Sequence, residues 1–146
     1  MARIAITAFL ALVLPGWIQL GEHVRRVADS TEIADKAVDA LAEAKVDKEM
    51  EVGRYYIGRL NHIGAINRFK VVVTQFQTSR HVEEALARLV EIYLALGIGS
   101  EAQTAVAVLK RKFSDGHWST GAHAALKSAG LDPAEDEKSW ISRTFK

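Results

Sequence analysis

The side chains that could do chemistry are few. The chain has five histidines, His23, His62, His81, His117 and His123, and no cysteine. No HExxH pattern occurs, and the nearest histidine pair, His117 and His123, is six residues apart, which suits no helical ligand offset. They read as surface or helix-cap histidines, and no metal site is expected. Gly97-Ile98-Gly99 precedes a helix N-terminus, the place where anions bind, but the third glycine and the preceding strand of a dinucleotide site are missing. Without cysteine there is no thiolate nucleophile, and no serine stands in a nucleophile-elbow pattern. Asp35/Asp39 and Glu83/Glu84 fall on solvated helix faces. Lys110-Arg111-Lys112 lies at a helix C-terminus, where the helix dipole accounts for it. No catalytic set assembles, so the chain reads as no enzyme, with no cofactor, no nucleic acid and no small-molecule substrate. Recognition chemistry remains. Arg68, beside Phe69, offers a planar guanidinium able to grip a carboxylate of a partner protein. The plain alternative is an ion pair within the chain or a solvated arginine. Asn67 and Arg54 are weaker candidates of the same kind.

The elements that must hold these residues are set by a repeat. Gly53, Tyr56, Ala65, Phe69 and Val72 are answered 37 residues later by Val90, Tyr93, Ala102, Val106 and Leu109, and Phe76 by Phe113. A fixed period of this length marks an array of helical hairpins. The tyrosine lies on the first helix of each hairpin. The alanine, on the second, lets two antiparallel helices approach, and the bulky residue one turn on fills the gap to the next hairpin. A lone hairpin cannot bury both faces, so neighbours stack, curve and leave a concave groove. Such arrays are binding surfaces.

Along the chain, Gly16 to Ala28 reads as an amphipathic helix with Ile18, Leu20, Val24 and Val27 on its apolar side. Asp29-Ser30-Thr31 reads as a turn with an N-cap. Glu32 to Leu60 reads as one long helix whose stretch from Glu43 to Glu51 is solvated. Gly53 is costly there by about 1 kcal/mol against alanine, which implies close approach of a partner helix. Asn61-His62, Gln77-Thr78-Ser79, Gly97-Ile98-Gly99 and Ser114-Asp115-Gly116 mark the breaks between the later helices. Ser100 and Gln103 are placed for a capping box. Trp118 to Ala129 carries Ala122 and Leu126, one period after Ala85 and Leu89, and reads as the first helix of an unfinished repeat. Asp132-Pro133-Ala134-Glu135 reads as a helix start. Beyond it, Trp140, Ile141 and Phe145 are expected to dock, either on the chain's own last helix or on a partner.

The chain of 146 residues has 49% apolar and 25% charged residues and a net charge of +1, which fits a globular domain with no attractor for nucleic acid. The apolar run from Ile4 to Leu14, ended by Pro15-Gly16, is too short for a transmembrane span of ~20 residues. It suits either a signal peptide or a buried first helix. The expected organisation is therefore 1–15 as that segment, 16–130 as the repeat domain and 131–146 as a C-terminal helix or tail.

Gly53, Tyr56, Ala65, Phe69 and Val72 stand on the signature positions of the tetratricopeptide repeat, which the chain resembles. The signature tryptophan and the later proline are absent, with Gln77 and Ser114 at the proline positions. The expected fold class is all-α, antiparallel helical hairpins stacked as a tetratricopeptide-like α-solenoid. A closer resemblance covers Glu43 to Trp118. The run from Lys48 to Tyr56 and the run Ala65-Ile66-Asn67-Arg68-Phe69 resemble the BamD family, tetratricopeptide lipoproteins of the bacterial outer-membrane β-barrel assembly machinery. So do the run from Thr78 to Leu86, the Ala95-Leu96-Gly97 turn and Glu101-Ala102. The resemblance implies a non-catalytic scaffold on the periplasmic side of the cell outer membrane. Its implied partners are the central barrel subunit, docked mainly through C-terminal repeats, other proteins of the complex, and unfolded outer-membrane proteins received by N-terminal repeats. It also raises Arg68, Asn67 and Arg54 as partner-binding residues. Members carry about five repeats and a lipid on an N-terminal cysteine. This chain holds only the C-terminal repeats and no cysteine, so no lipid anchor of its own is expected, and either a truncated member or a fragment fits. A generic tetratricopeptide adaptor that reads a peptide in its groove is the alternative.

Overall fold

The computed structural model describes the backbone of residues 2–146 and the side chains of residues 18–146. All regular structure among the described residues is helical: α1 (Ala2–Gly58), α2 (His62–Gln75), α3 (Val82–Ala95), α4 (Gly99–Lys112), α5 (His117–Ser128) and α6 (Trp140–Thr144). The chain forms two units, Met1–Leu41 and Ala42–Lys146. In the first, every described side chain from 18 to 40 is exposed, and so is Leu41. The burial of residues 1–15, on which the signal-peptide and buried-helix alternatives turn, lies outside the described side chains.

The second unit is the repeat array. The end of α1 and α2 make one hairpin, α3 and α4 the next, and α5 opens a third. Helix α3 is central, packing on α2, α4 and α5. The seam is built from the repeat positions: Ala65, Phe69, Val72, Ala102, Val106 and Leu109 are all fully buried. Each large apolar side chain taken from water contributes about 1.5–3 kcal/mol. The repeat also fixes backbone. Phe76 and Phe113 are the C-caps of α2 and α4, at φ −129°, ψ 50° and φ −135°, ψ 50°, donating to the carbonyls of Val72 and Leu109. Gly53 has the reason its cost implied: a Cβ there would lie 2.6 Å from the Phe69 ring. Gly97 ends α3 at φ +73°, where a side chain would be strained.

Several sequence expectations are corrected. Asp29-Ser30-Thr31 is no turn. Helix α1 runs through it, because the Ser30 and Thr31 hydroxyls bond back to the carbonyls of Val27 and Ala28, at 2.9 and 2.7 Å, and leave the helix ladder intact; it also runs through Pro15-Gly16. The stretch from Glu43 to Glu51 is not solvated throughout. Val46 and Met50 are fully buried, one helical turn apart, and Glu43 and Glu49 beside them are partly buried. Ser100 and Gln103 form no capping box: α4 starts at Gly99 with Ile98 as N-cap, and Gln103 instead donates to the carbonyl of Asp132 at 2.8 Å. Residues 132–135 start no helix. They have no regular structure; the Thr104 hydroxyl, shared between the carbonyls of Ser100 and Ala134 as donor, accepts from the Asp136 amide. The last helix starts at Trp140 with Ser139 as its N-cap, whose hydroxyl accepts from the Ile141 amide at 3.1 Å.

Candidate partner-docking surface

The arginine singled out by sequence lies on α2 with its guanidinium 3.3 Å from the Glu49 carboxylate on α1. That carboxylate, by hydrogen bond and then by charge, holds the Arg68 pKa above its ordinary value. The Arg68 side chain is still 43% exposed while Glu49 is 16% exposed. The pair is therefore an anchored, partly exposed cation, held first by Glu49 and to a lesser degree by the Tyr56 side chain. Asn67, the preceding residue, is exposed. Arg54 is held differently, by Glu84 on α3 at 2.9 Å. The two acceptors stand on different helices, so the structure joins Arg68 to Glu49 of α1 and Arg54 to Glu84 of α3.

A second surface runs along α1, α3 and α5, the first helices of successive hairpins. A cleft of about 360 Å³ lies between α3 and α5, walled by Ala87, Glu91, Trp118 and Gly121. A smaller one of about 260 Å³ is lined by Arg54, Ile57, Gly58 and Arg88. Arg88 stands between them. Its guanidinium lies 4.8 Å over the Trp118 ring and 3.0 Å from Glu91. Sequence reasoning passed over Arg88 and Glu91. The period contained a signal for Glu91, which stands 37 residues after Arg54 on the same face of its helix.

The tail docks on the chain itself. Trp140 donates its indole N–H to the Tyr93 hydroxyl at 3.0 Å, and Ser139 donates to Glu101 at 2.7 Å. Lys70 covers the Trp140 ring at 4.9 Å, and Ile141 and Phe145 are buried. The contact is with α4, and through single side chains with α3 and α2.

The histidines are dispersed. His81 meets Asp47 at 2.7 Å, His117 packs edge-on to Trp118, and His23 is exposed. His62 and His123 are partly buried on separate helices. Among the described residues no group of three or more His, Cys, Asp or Glu side chains is placed to hold a metal ion. Among them, too, no helix is long and apolar enough to cross a membrane.

Comparison with known proteins gives this geometry a context. The profile of the YfiO family, described as outer membrane lipoprotein, matches residues 28–109. The outer membrane protein assembly factor BamD of Caulobacter vibrioides is 40% identical over 108 residues, which is 72% of this chain and 35% of that protein. Its namesake in Rickettsia prowazekii is 37% identical over 91 residues, 62% of this chain and 36% of its own length. In Neisseria meningitidis serogroup A the identity is 37% over 111 residues, 76% of this chain and 38% of the relative. The chain thus spans about a third of the length of the curated relatives it matches. No solved structure gives a significant match. The matched residues contain both signature tyrosines, the Gly53–Phe69 contact and the Arg68–Glu49 pair, and the chain belongs to this outer membrane lipoprotein family.

Proposed function

We propose that the chain is a non-catalytic scaffold in outer-membrane protein assembly, acting on the periplasmic side of the outer membrane by docking on the central barrel subunit of the assembly complex. Family membership supports the process, since the matched relatives are named assembly factors. The observation that carries the docking role is the half-exposed, Glu49-anchored guanidinium of Arg68 on a packed hairpin. Its donors are already oriented, so little rotamer freedom is lost when a partner carboxylate arrives. Asn67 beside it adds a neutral donor and acceptor, and Arg54 contributes from the other side of α1. Unfolded outer-membrane proteins and the other subunits are further partners of the same surface class.

The test is capture of the central barrel subunit from detergent-solubilised outer membranes by the immobilised chain. Wild type should retain it, and Arg68→Glu should lose it, because the reversed charge meets both Glu49 and the partner's carboxylate. Retention unchanged by Arg68→Glu would move the contact elsewhere. No capture by a folded wild-type chain would remove the docking role altogether.

A further inference from the structure

The first unit carries a seam that the repeat array does not use. Leu20, Val24, Val27, Thr31, Ala34, Val38 and Leu41 follow one another at alternating steps of four and three residues along α1. That is the spacing of a coiled-coil seam, a narrow line rather than the broad apolar face of a helix lying in a membrane surface. Ile18 and Ile33 lie off the line. The pattern stops at Leu41, since the next steps fall on Lys45 and Lys48. Its large members are bare: Leu20 is 61%, Val24 59%, Val27 50%, Val38 64% and Leu41 72% exposed. A helix whose seam is open to water on every side draws no stability from packing, and isolated helices are marginal in water.

Charge selects the partner and its direction. Between 18 and 28 the ionised side chains are Glu22, Arg25 and Arg26. Between 29 and 41 they are Asp29, Glu32, Asp35, Lys36 and Asp39. The first half is therefore net positive and the second net negative. Two copies lying parallel would set like against like. Two copies lying antiparallel bring each basic half onto an acidic one. Arg25, Glu32 and Asp39 lie on the same flank of the seam, next to the small residues Gly21, Ala28 and Ala42, which leave room for charges to meet across it.

We propose that residues 24–41 of α1 pair antiparallel with the same segment of a second copy of this chain. In the register that brings large apolar side chains together in two layers, Val24 faces Leu41 and Val27 faces Val38, Thr31 faces Ala34, and Arg25 lies nearest Asp39 while Glu32 lies nearest its own copy at the centre. The paired length of 18 residues is about 27 Å at 1.5 Å per residue. This reading stands apart from the docking role of Arg68, which lies in the other unit.

The chain's lack of cysteine makes the test clean. Sedimentation of the full chain at tens of micromolar should give twice the 16.1 kDa of one copy. Val27→Glu should weaken that association on the order of a hundred-fold by placing unpaired charge in the seam. An equimolar mixture of Val24→Cys and Leu41→Cys chains, oxidised mildly, should form the mixed disulfide in preference to either like pair. A monomer at that concentration, or an association indifferent to Val27→Glu, overturns the pairing. Preferred like pairs overturn its antiparallel sense. Thermal unfolding of the Val27→Glu chain checks that residues 42–146 remain folded, so that loss of association is read as loss of the seam.

Discussion

The two hairpins solve the same packing problem with different volumes. In the first, a glycine at position 53 lies against the phenylalanine at 69, so close that a Cβ would sit 2.6 Å from the ring. In the second, the equivalent positions hold Val90 and Val106, both fully buried. One repeat spends its space on a single large ring and the other divides it between two branched side chains. What is kept across the period is the filled seam, not the residue at any one position, as close packing requires. The tyrosines diverge for a related reason. Tyr56 is partly buried, whereas Tyr93 is 5% exposed because the tail lies over it.

The largest effect should come from removing the ring. Phe69→Ala empties the most bulky fully buried site and should destabilise the array by about 3–5 kcal/mol, read by chemical denaturation. Val106→Ala in the second hairpin removes fewer atoms and should cost less. The exchange can then be tested directly. Gly53→Val alone should cost about 1–3 kcal/mol through overpacking. The double variant Gly53→Val/Phe69→Val gives the first seam the residues of the second, and it should cost less than the two single changes summed, with a coupling of about 0.5–3 kcal/mol. Simple additivity would mean that the two hairpins do not trade volume at these positions.

Most of the array was legible because its determinants are periodic and apolar. Ala65, Phe69, Val72 and their counterparts are buried where the period places them, and Gly53 is close-packed as its cost inside a helix implied. What escaped was decided by contacts distant in sequence or by hydroxyls with more than one use. Val46 and Met50 look solvated among their charged neighbours, yet one side of that stretch packs into the core. Ser30 and Thr31 resemble a cap but satisfy themselves within the helix. The segment 132–135 has the local pattern of a helix start, and is instead tied down without regular structure by Gln103 and Thr104, about thirty positions away. At the candidate site the residue types were readable and their partners were not. Nothing local ties Arg68 to Glu49 or Arg54 to Glu84, which come from other helices.

The tail separates the two tyrosines further. Burial raises the Tyr93 pKa above its ordinary 10.0, with the hydrogen bond from Trp140 acting in the opposite sense. The unfolded chain therefore releases this proton first, and stability falls as pH rises through 10.0 toward the folded pKa. Tyr93→Phe removes that alkaline loss. At neutral pH it leaves the Trp140 indole N–H without its acceptor, at a cost of about 1–3 kcal/mol. Tyr56→Phe, which leaves the Trp140 indole with its acceptor, should cost less at neutral pH. Denaturation midpoints at pH 7 and above pH 10 for both variants distinguish the two positions.

The smallest effect compares the two helix starts. Asn61 and Ile98 are one period apart and are the N-caps of α2 and α4, with nearly the same backbone, φ −88°, ψ 77° and φ −91°, ψ 70°. The Asn61 side chain accepts from the Gly64 amide at 2.9 Å, while Ile98 offers no acceptor and is 40% exposed. Asn61→Ala should therefore cost about 1 kcal/mol. The reverse change, Ile98→Asn, places the same side chain on the same backbone, three residues before the Glu101 amide, and should stabilise by up to about 1 kcal/mol. Since Ile98 is exposed, little buried apolar area is lost in the exchange. Thermal unfolding of the two variants should move in opposite directions. A loss on Ile98→Asn would show that the second start relies on the apolar side chain, and that the match between the hairpins ends at the backbone.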